Sequence, residues 1–164
     1  MNRRTALSSV LSAALALTVT QPAAAQTMDA ASQSTFDTVM AFMGAMGAGE
    51  TDAMSALMAG DMVWRNEGDK TPPWIGTWES KAKVFKFLGL FGENFKTIAR
   101  KNTDAFASGD TMAVFGDMNA ITLKYGEETS ELSFALRAKV RDGQVVLWNW
   151  FEDSFAVSRA YHGE

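Results

Sequence analysis

Asp117 is the carboxylate best placed to do chemistry, because it interrupts an otherwise apolar and small run, Met112-Ala-Val-Phe-Gly-Asp-Met-Asn-Ala120. A carboxyl set among apolar groups holds its proton more tightly, which suits a general acid or base. The other reading is an exposed Asp following Gly116 at a strand bulge. A second concentration of chemistry lies at positions 61–78, DMVWRNEGDKTPPWIGTW, where Trp64, Trp74 and Trp78 are interleaved with Asn66, Glu67, Asp69 and Lys70. Large aromatic surfaces beside a polar turn suit a pocket that holds an apolar molecule and orients it with few polar groups. Asn66 would orient a water or a substrate oxygen. In the competing reading Asn66 begins the turn and the tryptophans fill and cap a core, where a buried aromatic contributes roughly 2–3 kcal/mol. Glu152 and Asp153 close the last apolar run and either face a ligand or cap a following helix.

Other chemistries lack their parts. The chain has one histidine, His162, third from the end, and no cysteine. Neither a Ser-His-Asp nor a Cys-His nucleophile can be assembled from these, nor a His- or thiolate-based metal site. Met40, Met43 and Met46 repeat every three residues, a spacing that fits Cu(I)-thioether binding and equally a flexible core stripe. We read them as core and expect no metal and no cofactor. A net charge of −4 argues against nucleic acid, whose phosphates need clustered cations. Lys81, Lys83, Lys86, Lys96, Arg100 and Lys101 are read as a solvated face.

The start of the chain has the three-part pattern of a secretory signal. Arg3 and Arg4 precede a mostly apolar run over 6–19, and small residues at Ala23, Ala24 and Ala25 match an A-x-A cleavage site. The run is too short and too weakly apolar for a stable membrane span. Cleavage near Ala25 predicts a periplasmic or secreted protein, and no second hydrophobic segment follows. The remainder is long enough for one domain that buries about two thirds of its unfolded surface. Without disulfides, such a domain depends on its core alone.

Residues 26–33 are small and polar and read as a linker. Phe36, Val39, Met40, Met43 and Met46 predict a first helix capped by Ser34 and ended by Gly47 and Gly49. A second helix is expected over 51–58, with Gly60-Asp61 turning the chain out into a short strand at 62–65. A loop at 66–76, stiffened by Pro72 and Pro73, leads to a third helix over 79–94 whose apolar stripe includes Ala82, Phe85, Leu88 and Phe91. Strands are expected over 98–107, 112–124, 132–140 and 144–151, with a short helix after Asp153. Helices first and then a meander of strands predict an α+β domain over 34–161.

The stretch MGAMGAGETDAMSALMAGDMVWRNEG, Gly76 before the third helix, and the closing VRDGQVVLWNWFED together resemble the SnoaL-like branch of the nuclear transport factor 2-like superfamily. The resemblance spans 36–156. It implies a cone: a curved antiparallel sheet wrapped around three helices, with an internal pocket at the wide end. It also implies which strand parity looks inward. Trp64 and Asn66 would face the pocket from the first strand, and Val146, Trp148, Trp150 and Glu152 from the last. Phe115, Asp117 and Asn119 would share one inward parity, and Leu132, Phe134 and Leu136 another. Trp74 and Trp78 would sit on the loop over the mouth, and Phe85 would face the cavity from the third helix. Leu147, Asn149 and Phe151 would face outward, onto a partner subunit.

The chain departs from the characterised relatives at their catalytic positions. The base, tyrosine and second Asp of ketosteroid isomerase fall on Asn66, Phe42 and near Ala135 or Leu136. Limonene-epoxide hydrolases share the aromatic-spacer-Asn of Trp64-Arg65-Asn66, but their Asp-Arg-Asp set falls on Trp150, Asp117 and Asn119. The expectation is therefore an exported protein that binds a small hydrophobic molecule in its cone. An isomerase, cyclase or lyase using Asp117 as acid/base is the first alternative, and a homodimerising interaction module the second.

Overall fold

The computed structural model describes residues 28–126, 129 and 131–164. The expected signal peptide, 1–25, lies outside them. Four helices and six strands follow in the order α1 (Ala30–Ala48), α2 (Thr51–Leu57), β1 (Met58–Asn66), β2 (Gly76–Glu79), α3 (Lys81–Asn94), β3 (Phe95–Ser108), β4 (Thr111–Thr122), β5 (Leu132–Arg141), β6 (Gln144–Glu152) and α4 (Ser154–His162). The strands form one curled, unclosed sheet in the order β2-β1-β6-β5-β4-β3. This is the expected α+β cone. Within it, β3 to β6 form an antiparallel meander, and β1 returns parallel to β6. Among the described residues no helix is long and apolar enough to cross a membrane.

Local boundaries differ from the sequence expectation where tertiary contacts intervene. The first helix is capped by Asp29, whose side chain accepts a hydrogen bond from the Ser32 N–H at 2.7 Å, and not by Ser34. Half of the expected linker is therefore helical. The turn after β3 clamps it: Gly109 N–H donates to the Ser32 hydroxyl, and the Thr35 hydroxyl donates to the Gly109 carbonyl. In β1, Met58 already pairs with Val145, and Gly60-Asp61 forms part of a bulge before Val63 instead of a turn. Trp78 lies on β2, opposite Trp64, rather than on a loop. Phe95 opens β3, three residues before the expected strand start at 98.

Two-residue hairpins fix the meander's register. Asp142 and Gly143 both take positive φ, 52° and 73°, the backbone of the tight turn that matches strand twist. Their strands pair Arg141 with Gln144, and a register shift near Val140 leaves Val146 unpaired. Val145 is fully buried and Val146 only half-buried, so the expected inward position of Val146 is taken by Val145.

Candidate functional site

Cross-strand pairing lays the inner face out in rows. One row runs Met112–Ala138–Trp148–Trp64, and the next Val114–Leu136–Trp150–Asn66. Beyond them come Gly116–Phe134–Glu152 and then Arg100–Met118–Leu132. Helices α1 and α3 close over these rows. Phe42 of α1 meets the Trp148 ring edge-on at 4.9 Å, and Phe87 of α3 lies 4.7 Å from Trp64. Toward the open end the two helices leave a cavity of about 850 Å³, within the size range of small-ligand pockets.

Trp64, Asn66, Trp148, Trp150 and Glu152 form the cavity's sheet-side wall, faced by Phe85, Phe87 and Leu88 of α3. The indoles of Trp64 and Trp148 are stacked 5.3 Å apart. Trp64 Nε1–H donates to Asn66 Oδ1 at 2.6 Å, which fixes the amide's orientation inside the wall. Trp148 Nε1–H is buried and has no acceptor among the described residues.

Among the described residues, Glu152 is the one carboxylate in the cavity lining. Burial pushes its carboxyl above the ordinary range, a shift opposed by the hydrogen bond from Trp150 Nε1–H at 2.9 Å and reinforced by nearby Asp153. The capping role falls to Asp153, which accepts hydrogen bonds from the N–H groups of Phe155 and Ala156. The carboxylate left over by that division of labour is the one in the pocket.

Six of the anticipated residues, Trp64, Asn66, Phe85, Trp148, Trp150 and Glu152, thus meet around one cavity. Five others lie elsewhere on the inner side. Trp74 is fully buried behind the lining, packed against Phe91, Phe95 and Tyr161, so it belongs to the core and not to the mouth. Trp78 packs on Phe87 and donates its indole N–H to the Trp74 carbonyl. Phe134 backs the wall, stacked 4.5 Å from Trp150, and Leu132 and Leu136 are buried with it.

The β4 expectation is corrected. Met112, Val114, Gly116, Met118, Ala120 and Thr122 are the buried parity, so Phe115, Asp117 and Asn119 point to the outer face. Phe115 is 43% exposed, and Asp117 accepts a hydrogen bond from the Ser133 hydroxyl across the outer surface. The inward set is more uniformly apolar than the outward one, so alternation alone favours it. Alignment to catalytic positions of distant relatives had pointed the other way. Lys96 and Arg100, read as a solvated face, line the cavity rim from β3. The signal for Arg100 was its pairing with Met118, which only the register supplies.

The sequence profile of the SnoaL-like domain matches residues 39–148. Among solved structures, an NTF2-like protein from Burkholderia xenovorans LB400 is 23% identical, over 79% of this chain and 97% of its own, with a TM-score of 0.72. TerC co-crystallised with polyporic acid is 19% identical over 79% and 98%, with a TM-score of 0.68. An LEH-like epoxide hydrolase of M. tuberculosis is 16% identical over 80% and 92%, at 0.63. Identities this low speak to fold alone. No curated protein matches the chain.

Proposed function

Because the chain belongs to the SnoaL-like domain family, whose fold hosts many unrelated activities, we propose a function from its own cavity: it binds a small hydrophobic molecule there. The observation that carries this is the roughly 850 Å³ cavity walled by the stacked indoles of Trp64 and Trp148. Flat aromatic walls favour a flat or ring-bearing guest, with Asn66 as the fixed polar contact. TerC, co-crystallised with polyporic acid, shares the fold. Export is part of the proposal and rests on the sequence pattern of residues 1–25. The test is to purify the protein gently from the periplasm and extract it for mass spectrometry. A stoichiometric apolar compound, absent from the Trp64→Ala variant, is expected. An empty protein whose Trp64 and Trp148 indole N–H signals ignore apolar probes would sink the reading.

A second reading is acid/base catalysis of isomerase, cyclase or lyase type, favoured by the environment of Glu152. A carboxyl held toward its neutral form inside an apolar wall is suited to donating a proton and then retrieving one. Glu152 would take the role anticipated for Asp117. Glu152→Gln should then abolish turnover while leaving binding intact, and Asp117→Asn should change neither. Turnover unaffected by Glu152→Gln would exclude this mechanism.

A further inference from the structure

Among the described residues, three that line the cavity carry ionisable side chains: Lys96, Arg100 and Glu152. They are segregated. Glu152 sits in the wall on β6, an interior strand, whereas both cations sit on the edge strand β3, three strands away. Arg100 pairs with Met118, on the buried parity of β4, so its guanidinium belongs to the inner side. The ion pairs among the described residues are Lys139–Asp110 and Arg141–Asp61, which leaves Arg100 and Lys96 with no carboxylate partner there. An acidic chain of net charge −4 therefore presents a cavity rim whose fixed charges are positive.

We propose that the ligand is an organic anion, an aromatic or conjugated ring system bearing one acidic group, with the rings against Trp64 and Trp148 and the anion at Arg100. This inference rests on the cavity being a ligand site. A guanidinium presents a planar fork of donors that fits a carboxylate, sulfonate or enolate better than an ammonium does. Arg100 is exposed on the edge strand β3, so its attraction for an anion is screened by added salt. Lys96 also lines the cavity but pairs with Ile121, on the outer parity of β4, so Arg100 is the cation that carries the contact. Burial pushes the Glu152 carboxyl on the far wall above its ordinary range, which lessens its repulsion of an anion that Arg100 holds at β3.

Two fluorescent probes of matched ring structure test the claim: 1-anilinonaphthalene-8-sulfonate, an anion, and N-phenyl-1-naphthylamine, its neutral counterpart. Both are titrated into the 15N-labelled full chain, wild type and Arg100→Gln, while the indole N–H signals of Trp64, Trp148 and Trp150 report occupancy of the cavity. Arg100→Gln should weaken the sulfonate about tenfold, the loss expected for one charge-assisted hydrogen bond, and leave the neutral probe within a factor of about two. Arg100→Lys should recover part of the loss. Should the glutamine variant not fold, the wild type still decides, because added salt must weaken the sulfonate and spare the neutral probe. Equal loss for both probes, or a sulfonate affinity that ignores salt, overturns the proposal while leaving the pocket reading standing. If neither probe moves the indole signals, the pocket reading itself falls.

Discussion

Glu152 and Asp117 exchange roles when sequence becomes structure, and each exchange has a measurable consequence. Because burial raises the folded-state pKa of Glu152 above its unfolded value, the folded protein holds a proton that the unfolded chain releases. That contribution to stability is complete below the unfolded value of 4.5 and is lost as pH rises through the folded pKa. Glu152→Gln removes the loss, and its amide oxygen can still accept from Trp150. Thermal unfolding should therefore show the variant melting a few degrees above wild type at pH 7 and level with it at pH 4. Asp117 predicts the opposite kind of result. Exposed on the outer face beside Ser133, it should be replaceable by Asn with no change in probe affinity. Any large loss there would mean that the β4 parity is wrong. Trp64→Phe keeps the ring but removes the donor to buried Asn66, which costs about 1–3 kcal/mol for the amide left unpaired. Chemical denaturation should register it.

Among the elements, β4 matters most because it lies directly under Phe134. A methyl built on Gly116 would collide with the Lys101 backbone carbonyl of β3 and come within 2.7 Å of the Phe134 ring, which in turn stacks on Trp150. Gly116→Ala must therefore displace the β3 backbone as well as the ring, and overpacking costs about 1–3 kcal/mol or more. Denaturant unfolding gives that cost, and probe affinity should fall with it. The loop between β1 and β2 is fastened to α4 by Asp69. Its carboxylate accepts a hydrogen bond from the Ser158 hydroxyl and others from the Thr71 hydroxyl and N–H. These contacts, that from Ser158 foremost, hold the Asp69 pKa down at about 2, against an ordinary 3.8. The stabilisation is present above 3.8 and is lost as pH falls through about 2. Asp69→Asn should accordingly lower the melting temperature at neutral pH and converge with wild type near pH 2.

At the scale of the molecule, the two faces of the sheet divide the work. The inner face holds the cavity. The outer face aligns Phe115, Ala135 and Phe151 in one cross-strand row, with both phenylalanines 43% exposed. We propose that a second copy of the chain covers this row. Sedimentation velocity should find a dimer that the double variant Phe115→Ser/Phe151→Ser reduces to monomer. A wild type that stays monomeric at all concentrations would remove the idea. Because Glu152, Trp64 and Arg100 face the other side, the double variant should bind the probes as wild type does.

What the sequence determined by itself was whatever local pattern controls. The hairpin turns, the helix stripes and the order of elements other than β2 follow from glycine placement and apolar spacing, neither of which needs a distant contact, and the inward parity of the β1 and β6 tryptophans came with the family resemblance. The tertiary structure decided what depends on register. A one-residue shift in strand parity sends every side chain to the opposite face, and pairing across β3, β4 and β5 puts Met118 and not Asp117 on the cavity side, the parity that the alternation within β4 favours. The same holds for Arg100, an ordinary surface cation in sequence that reaches the cavity rim through the pairing of β3 with β4. The pKa of Glu152 is likewise set by the atoms packed around it, and only the fold gathers those atoms.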